Sequence, residues 1–324
     1  MSLDWTASCC SLAGVVIREG GPRGGVLAGL IGAVAALAAF SLAPSALGAT
    51  IEVTPGPNAI NKALAKAHNG DLLRIHDGTY RESFDISKRV TLRGVGGRPM
   101  IDARCQSRAT ISTAQSNVTL DHLKVVGAAE GFGDFPSEVD FRGMSTGKIH
   151  DLVIHDTCGG VEDGAEYGIN VFNAGPVEVS DNQIMGGFTD AGIYIGGIVD
   201  TGAGQLRVIN NASYLNHQGV IVEDSGFDGI VVVSSNSIHH NTANGVEANR
   251  SGIFLHNSDK VRMRNNTIRN NGDFGINLDP NSDNNRLFDN TVNSNPTDLE
   301  NDGSGNCGSG NMFGSTSGNP LGSC

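Results

Sequence analysis

Apolar residues in this chain come in short alternating runs broken by Asn and Gly. In residues 259–282, Val261 and Met263 alternate with polar neighbours, Asn265-Asn266 interrupt, and Ile268 follows alone. Ile276 and Leu278 then alternate again. Alternation with period two predicts strands whose odd and even side chains face opposite sides. Strands this short cannot bury their apolar faces by themselves, so near-copies must stack above and below them.

The copies are present. Asn266 has counterparts at Asn182, Asn211, Asn236 and Asn290, separated by 29, 25, 30 and 24 residues. A second corner, Gly followed by a β-branched residue, recurs at Gly168-Ile169, Gly192-Ile193, Gly219-Val220, Gly252-Ile253 and Gly275-Ile276. The earlier units from Asn117 and Gly147 keep the rhythm with Leu123 and Leu152 in place of the Asn. Variable steps above a constant minimum imply regular rungs with loops inserted at corners. The predicted fold class is all-β: one right-handed parallel β-helix of about nine rungs. The corner asparagines are expected to stack and bond to one another and to turn backbone, with no catalytic role.

Reading the strands after each Gly corner by alternation gives inward pairs from Ile169/Val171 to Ile276/Leu278. The first outward row then runs Asn170, Tyr194, Ile221, Phe254, Asn277, and the second Phe172, Gly196, Glu223, His256, Asp279. Glu223, His256 and Asp279 on successive rungs form a candidate catalytic group, because carboxylates flanking an imidazole hold it in one tautomer. Two carboxylates two rungs apart, roughly 9–10 Å, also approach the spacing of inverting glycosidases. Tyr194, Phe254, Asn277 and Asn170 are the candidate substrate-binding residues, and no metal ligands are assigned. One competing alignment remains open. If Gly245-Val246 takes the strand, Glu247 replaces Phe254 and Asn249 replaces His256.

Residues 1–49 read as a secretory signal peptide: Arg18 and Arg23, an apolar run of 18 from Val26, then small residues. Residues 50–70 are expected to hold an N-terminal strand and a helix, Pro57–Ala67, covering the first rung. Residues 71–302 would form the β-helix domain, and residues 303–324 a Gly/Ser/Asn-rich tail. The net charge is −12 with or without the leader. That balance excludes nucleic acid and an anionic membrane surface, and opposes polyanionic glycans unless Ca²⁺ bridges the like charges. The acidic Asp298, Glu300 and Asp302 superficially suggest a Ca²⁺ loop. Of the four cysteines past the leader, Cys307 and Cys324 are expected to pair. Cys105 and Cys158, two rungs apart, are expected to stay as free buried thiols.

From Asp71 to Ala103, the segments DGTYRE, ISKRVTLRG and RPMIDA resemble the opening of secreted right-handed parallel β-helix proteins of the pectate-lyase-like superfamily. They most resemble the repeats typified by the periplasmic maturation factor of nitrous oxide reductase. The resemblance implies fold more than function, since that superfamily holds lyases, epimerases, glycosidases and proteins without chemistry. Asp279-Pro280 also resembles the Asp-Pro-His of mannuronan C5-epimerases, but Asn281 stands where that family has its His. Scattered histidines argue against a metal-handling role. The expectation is a secreted or periplasmic monomer that binds an extracellular polysaccharide and is a candidate lyase or hydrolase. Its alternatives are a non-catalytic scaffold and a metal-handling accessory protein.

Overall fold

The structure is a computed structural model that describes residues 48–159, 164–198, 205–226, 231–243 and 249–324. The signal-peptide segment up to residue 47 and the competing Gly245-Val246 corner lie outside the described residues. Among the described residues, no helix is long and apolar enough to cross a membrane.

The chain from residue 48 onward is a parallel β-solenoid, and among the described residues every strand pair is parallel. Among the described residues three sheets run its length: sheet A with eleven strands from Thr50–Val53 to Cys307–Ser309, sheet B with ten from Thr79–Tyr80 to Met312–Phe313, and sheet C with ten from Phe84–Ile86 to Thr316–Gly318. The expected count of nine rungs is therefore off. Cys307–Ser309, Met312–Phe313 and Thr316–Gly318 add one strand to each sheet. The coil thus continues through what reads as a tail, because the backbone ladder persists and Asn306 and Asn311 supply its corner hydrogen bonds. The helix, Ala59–Lys66, is shorter than the sequence pattern suggests. Its buried Ile60, Ala63 and Leu64 join the main core, and Glu82 accepts the Ile60 and Asn61 amides.

One continuous core of Ile, Val and Leu fills the interior, with Ile169, Ile193, Val220, Ile253 and Ile276 stacked in register along sheet C. Burying such a side chain stabilises the fold by roughly 1.5–3 kcal/mol. Strand ends are set by backbone geometry. The residue before each corner Asn sits in the left-handed region: Asp181, Asn210, Ser235, Asn265 and Asp289, with φ between 53 and 59°. Short polar side chains tolerate that conformation best.

The corner amides form the expected ladder. Asn211 Oδ1 accepts from both nitrogens of Asn182, and Asn236 does the same for Asn211. The relay continues through Asn266 and Asn290 to Asn311. A second ladder, not read from the sequence, runs Asn216, Asn241, Asn271, Asn295 and ends on the Asp298 carboxylate. Asp298 also accepts the amides of Gly314 and Ser315. It holds a corner, so the Ca²⁺-loop reading gives way to a structural one.

The second ladder explains the Gly corners. A Cβ added at Gly219 or Gly252 would collide with Ile238 or Ile268 on the adjoining sheet and crowd the ladder amide of Asn241 or Asn271. The glycine leaves room for a neighbour's side chain.

Two disulfides are present among the described residues. Cys307–Cys324 is the expected one. Cys105–Cys158 corrects the free-thiol expectation, with Cα atoms 5.5 Å apart. Cys105 lies past the end of its strand, in a loop whose backbone climbs toward the rung above. Its amide donates to Gly127 O, and Arg104 and Cys105 both have positive φ. That excursion closes the distance that two rungs of regular strand would leave.

Candidate active site on the outer face of sheet C

The Gly corner also sets what sheet C shows to solvent. Strict alternation would turn Tyr167 and Ala191 inward with Ile169 and Ile193. Instead the corner inverts the alternation, the glycine faces the interior, and the residue before it faces out. Tyr167, Ala191, Tyr194 and Ile221 form an apolar cluster of their own on the outer face, with Phe254 packed against it. Tyr167 and Tyr194 meet with ring centroids 4.7 Å apart.

The strand at the fourth corner is Ser251–His256, in register with Gln218–Glu223 and Phe274–Leu278. The first outward row therefore holds as read from the sequence, and the second holds from Phe172 through Gly196 and Glu223 to His256. Glu223 and His256 are direct register partners, and Glu223 Oε1 lies 2.8 Å from His256 Nδ1. The other oxygen of Glu223 accepts from Tyr194 Oη at 2.6 Å. Burial, and then the hydrogen bond to Glu223, push the Tyr194 phenol up, so its hydroxyl stays a donor. Gly196 lets this happen, because a Cβ there would collide with the Tyr194 ring. The Phe254 ring lies nearly parallel to His256, with centroids 5.7 Å apart.

Asp279 is placed differently from the reading that paired it with Glu223. Its Oδ2 lies 3.6 Å from His256 Nε2, but the carboxylate also accepts from the amides of Asn257 and Asn281 and from Ser282 Oγ. The His256 imidazole stands between the Glu223 and Asp279 carboxylates. Asn277 is buried on the first row at 8% exposure. Asn170 is buried four strands away and donates to Asp140, which also pairs with Arg108 and Arg142.

What the structure adds is Asp190, Gln218 and Glu166. A recess of 210 Å³ is lined by Asp190, Gln218, Ile221, Glu223, Phe254 and His256. Asp190 Oδ2 accepts from Tyr167 Oη at 2.7 Å. Gln218 is fully buried, and neither its amide oxygen nor its amide nitrogen has a hydrogen-bond partner among the described residues. Glu166, beside them, is lifted to about 7 by burial first and then by the negative charge of Asp190. The signal for these residues was the pair of positions just before each Gly corner, which strict alternation misassigns.

The family model described as "Periplasmic copper-binding protein (NosD)" matches residues 136–319. The chain belongs to this family. Among solved structures, the coil is similar to the pectate lyase Pel9A, at a TM-score of 0.54 and 13% identity, covering 83% of this chain and 78% of that one. It is also similar to an alginate lyase from Paenibacillus sp. str. FPU-7 (TM-score 0.48, 14% identity, 84% and 96% covered). A third is the A-module of the Azotobacter vinelandii mannuronan C-5 epimerase AlgE4 (0.42, 15%, 75% and 72%). At such identities the likeness is one of fold. No curated protein matches the sequence.

The family description names copper, and the donor set can be tested against it. Among the described residues, no three His, Cys, Asp or Glu side chains meet in a way that could hold a metal ion. All four described cysteines are in disulfides, and His239 and His240 are turned on each other, Nδ1 to Nδ1 at 2.9 Å. The described residues do not fit a copper centre.

Proposed function

We propose that this protein is an extracytoplasmic glycan-binding solenoid whose sheet C recess takes a neutral or weakly charged saccharide and is equipped to hydrolyse it. The observation that carries the proposal is the Gln218 amide, buried without a hydrogen-bond partner among the described residues in a recess walled by two carboxylates and an aromatic ring. An unsatisfied buried polar group costs about 1–3 kcal/mol, and sugar hydroxyls would supply both a donor and an acceptor. Phe254, stacked on His256, offers a flat apolar face to a sugar ring.

In the proposed reaction, Glu166, lifted to about 7, delivers its proton to the glycosidic oxygen as the C1–O bond breaks. Glu223, oriented by Tyr194 and His256, takes a proton from the water whose oxygen bonds to C1. A lyase would need a cation for the substrate carboxylate. The arginines paired with Asp140 on this face, Arg108 and Arg142, are already committed. Two disulfides suit an oxidising compartment, in keeping with a periplasmic or secreted location.

The test is a binding and reducing-end screen of the purified protein against neutral glycans. Gln218→Leu should weaken binding by at least about tenfold, the worth of one lost hydrogen-bonded contact. Glu223→Gln should keep binding and lower turnover by about 10²–10⁴-fold. Binding without turnover would leave a lectin-like solenoid. The absence of both would favour a scaffold that only presents its loops.

A further inference from the structure

Sheet A carries its own charge pattern on its outward rows. Toward the N-terminus every charged rung is compensated. Glu52 meets Arg74 at 2.6 Å, Arg93 meets Asp121 at 2.6 Å, and Glu178 lies 3.5 Å from Lys148 and 3.7 Å from Arg207. After Arg207 the acids stop. Val232, Arg262 and Arg286 follow in one row, and Ser234, Arg264 and Phe288 in the other. None of the Arg262, Arg264 and Arg286 side chains has an ion pair or hydrogen bond among the described residues, although the protein carries a net charge of −12. Arg262 and Arg286 are direct register neighbours, and like charges opposed across a strand pair destabilise it. A recess of 400 Å³ lies among the three arginines, with Gln205, Val232 and Phe288 completing its lining.

We propose that Arg262, Arg264 and Arg286 form a docking site for a carboxylate-bearing polysaccharide, a polyuronate, on a different sheet from the sheet C recess. Guanidinium groups bind carboxylates through two parallel hydrogen bonds. Arginines on adjacent rungs, about 4.8 Å apart, present such forks repeatedly along the coil. A polymer with a carboxylate on each sugar supplies repeated partners, and Phe288 and Val232 give its ring faces an apolar floor. Opposition from the protein's overall negative charge fades beyond about 8–10 Å at physiological salt, so at contact the local arginines dominate. Duplex nucleic acid fits less well, because three arginines neutralise too few of its closely spaced phosphates. The site stands independently of the sheet C reading.

The test is binding of polygalacturonate to the purified protein in low-salt buffer, with salt titration. The Arg262→Gln/Arg286→Gln double variant should weaken it by at least about tenfold and flatten its salt dependence. Arg269→Gln, a charge removal on sheet B, should leave it unchanged, and so should Glu223→Gln. Neutral glycan binding at the recess should survive the double variant, which separates failure of one site from failure of the other. No polygalacturonate binding, or equal binding by the double variant, would overturn the proposal. So would dextran sulfate or duplex DNA bound as tightly as the polyuronate.

Discussion

Glu223 and His256 are 33 residues apart in sequence and direct partners across two strands, with Oε1 and Nδ1 2.8 Å apart. The contact depends on Ser251–His256, and not a strand at Gly245, stacking on Gln218–Glu223. Both side chains are partly solvated, so a double-mutant cycle with Glu223→Gln and His256→Ala should give a coupling of about 0.2–1 kcal/mol in thermal or urea unfolding. Zero coupling would mean that the pair does not persist in solution.

The raised carboxyl of Glu166 predicts a pH limit on turnover. Burial and then the charge of Asp190 keep it protonated to about 7. As the proposed source of the acid proton, it should let kcat/KM fall as pH rises through that value. Glu166→Gln should lower turnover and abolish that limb. A limb unchanged in the variant would assign the acid role elsewhere.

Glu138 occupies the inward corner position where later rungs have glycine. It is fully buried and lifted to about 8 by desolvation, against its hydrogen bonds to Thr110 and Ala128. Thr110 Oγ1 donates to Val126 O, which suits a neutral Glu138 donating to Thr110. The folded-state value lies above the unfolded value of 4.5. Stabilisation is therefore complete below about 4.5 and is lost as pH rises through about 8. Glu138→Gln should be close to neutral at pH 4 and stabilising above it, by up to roughly 5 kcal/mol at about 1.4 kcal/mol per pH unit. Urea unfolding of both proteins from pH 4 to 9 measures this. A stability difference that does not change with pH would show that Glu138 is not held neutral.

The Asn ladder predicts a large cost for a small change. Asn236 accepts from both nitrogens of Asn211 and donates to Val208 O and Asn266 Oδ1. Asn236→Ala strands the buried Asn211 amide and should destabilise by roughly 2–4 kcal/mol. A loss below about 0.5 kcal/mol, the range of ordinary surface changes, would mean that the ladder contributes little.

The Cys105–Cys158 bond predicts that the four cysteines past the leader give no free thiol in denaturant without reductant. Replacing both residues by Ser opens a loop spanning 53 positions and should cost about 2–4 kcal/mol. Two titratable thiols in the wild-type protein would restore the free-thiol reading.

The sequence by itself determined the coil, the sense of its rows and the first Asn ladder. These follow from period-two alternation and from corner residues that repeat, and both are local properties of the chain. Tyr194, Glu223, Phe254 and His256 could be placed on one face because register in a solenoid is alternation counted from a fixed corner. Tertiary structure decided what alternation cannot carry. The glycine corner inverts the facing of the residue before it, so Tyr167 belongs to the outer cluster of a site that also takes in Asp190 and Gln218. The same packing turns Asp279 into a turn anchor, and the climb of one loop brings Cys105 to Cys158. Arg262, Arg264 and Arg286 were visible as residues, but their lack of acidic partners among the described residues is a fact about neighbouring rungs. Which charge lies 4.8 Å away depends on loop lengths between corners, and those only the folded chain fixes.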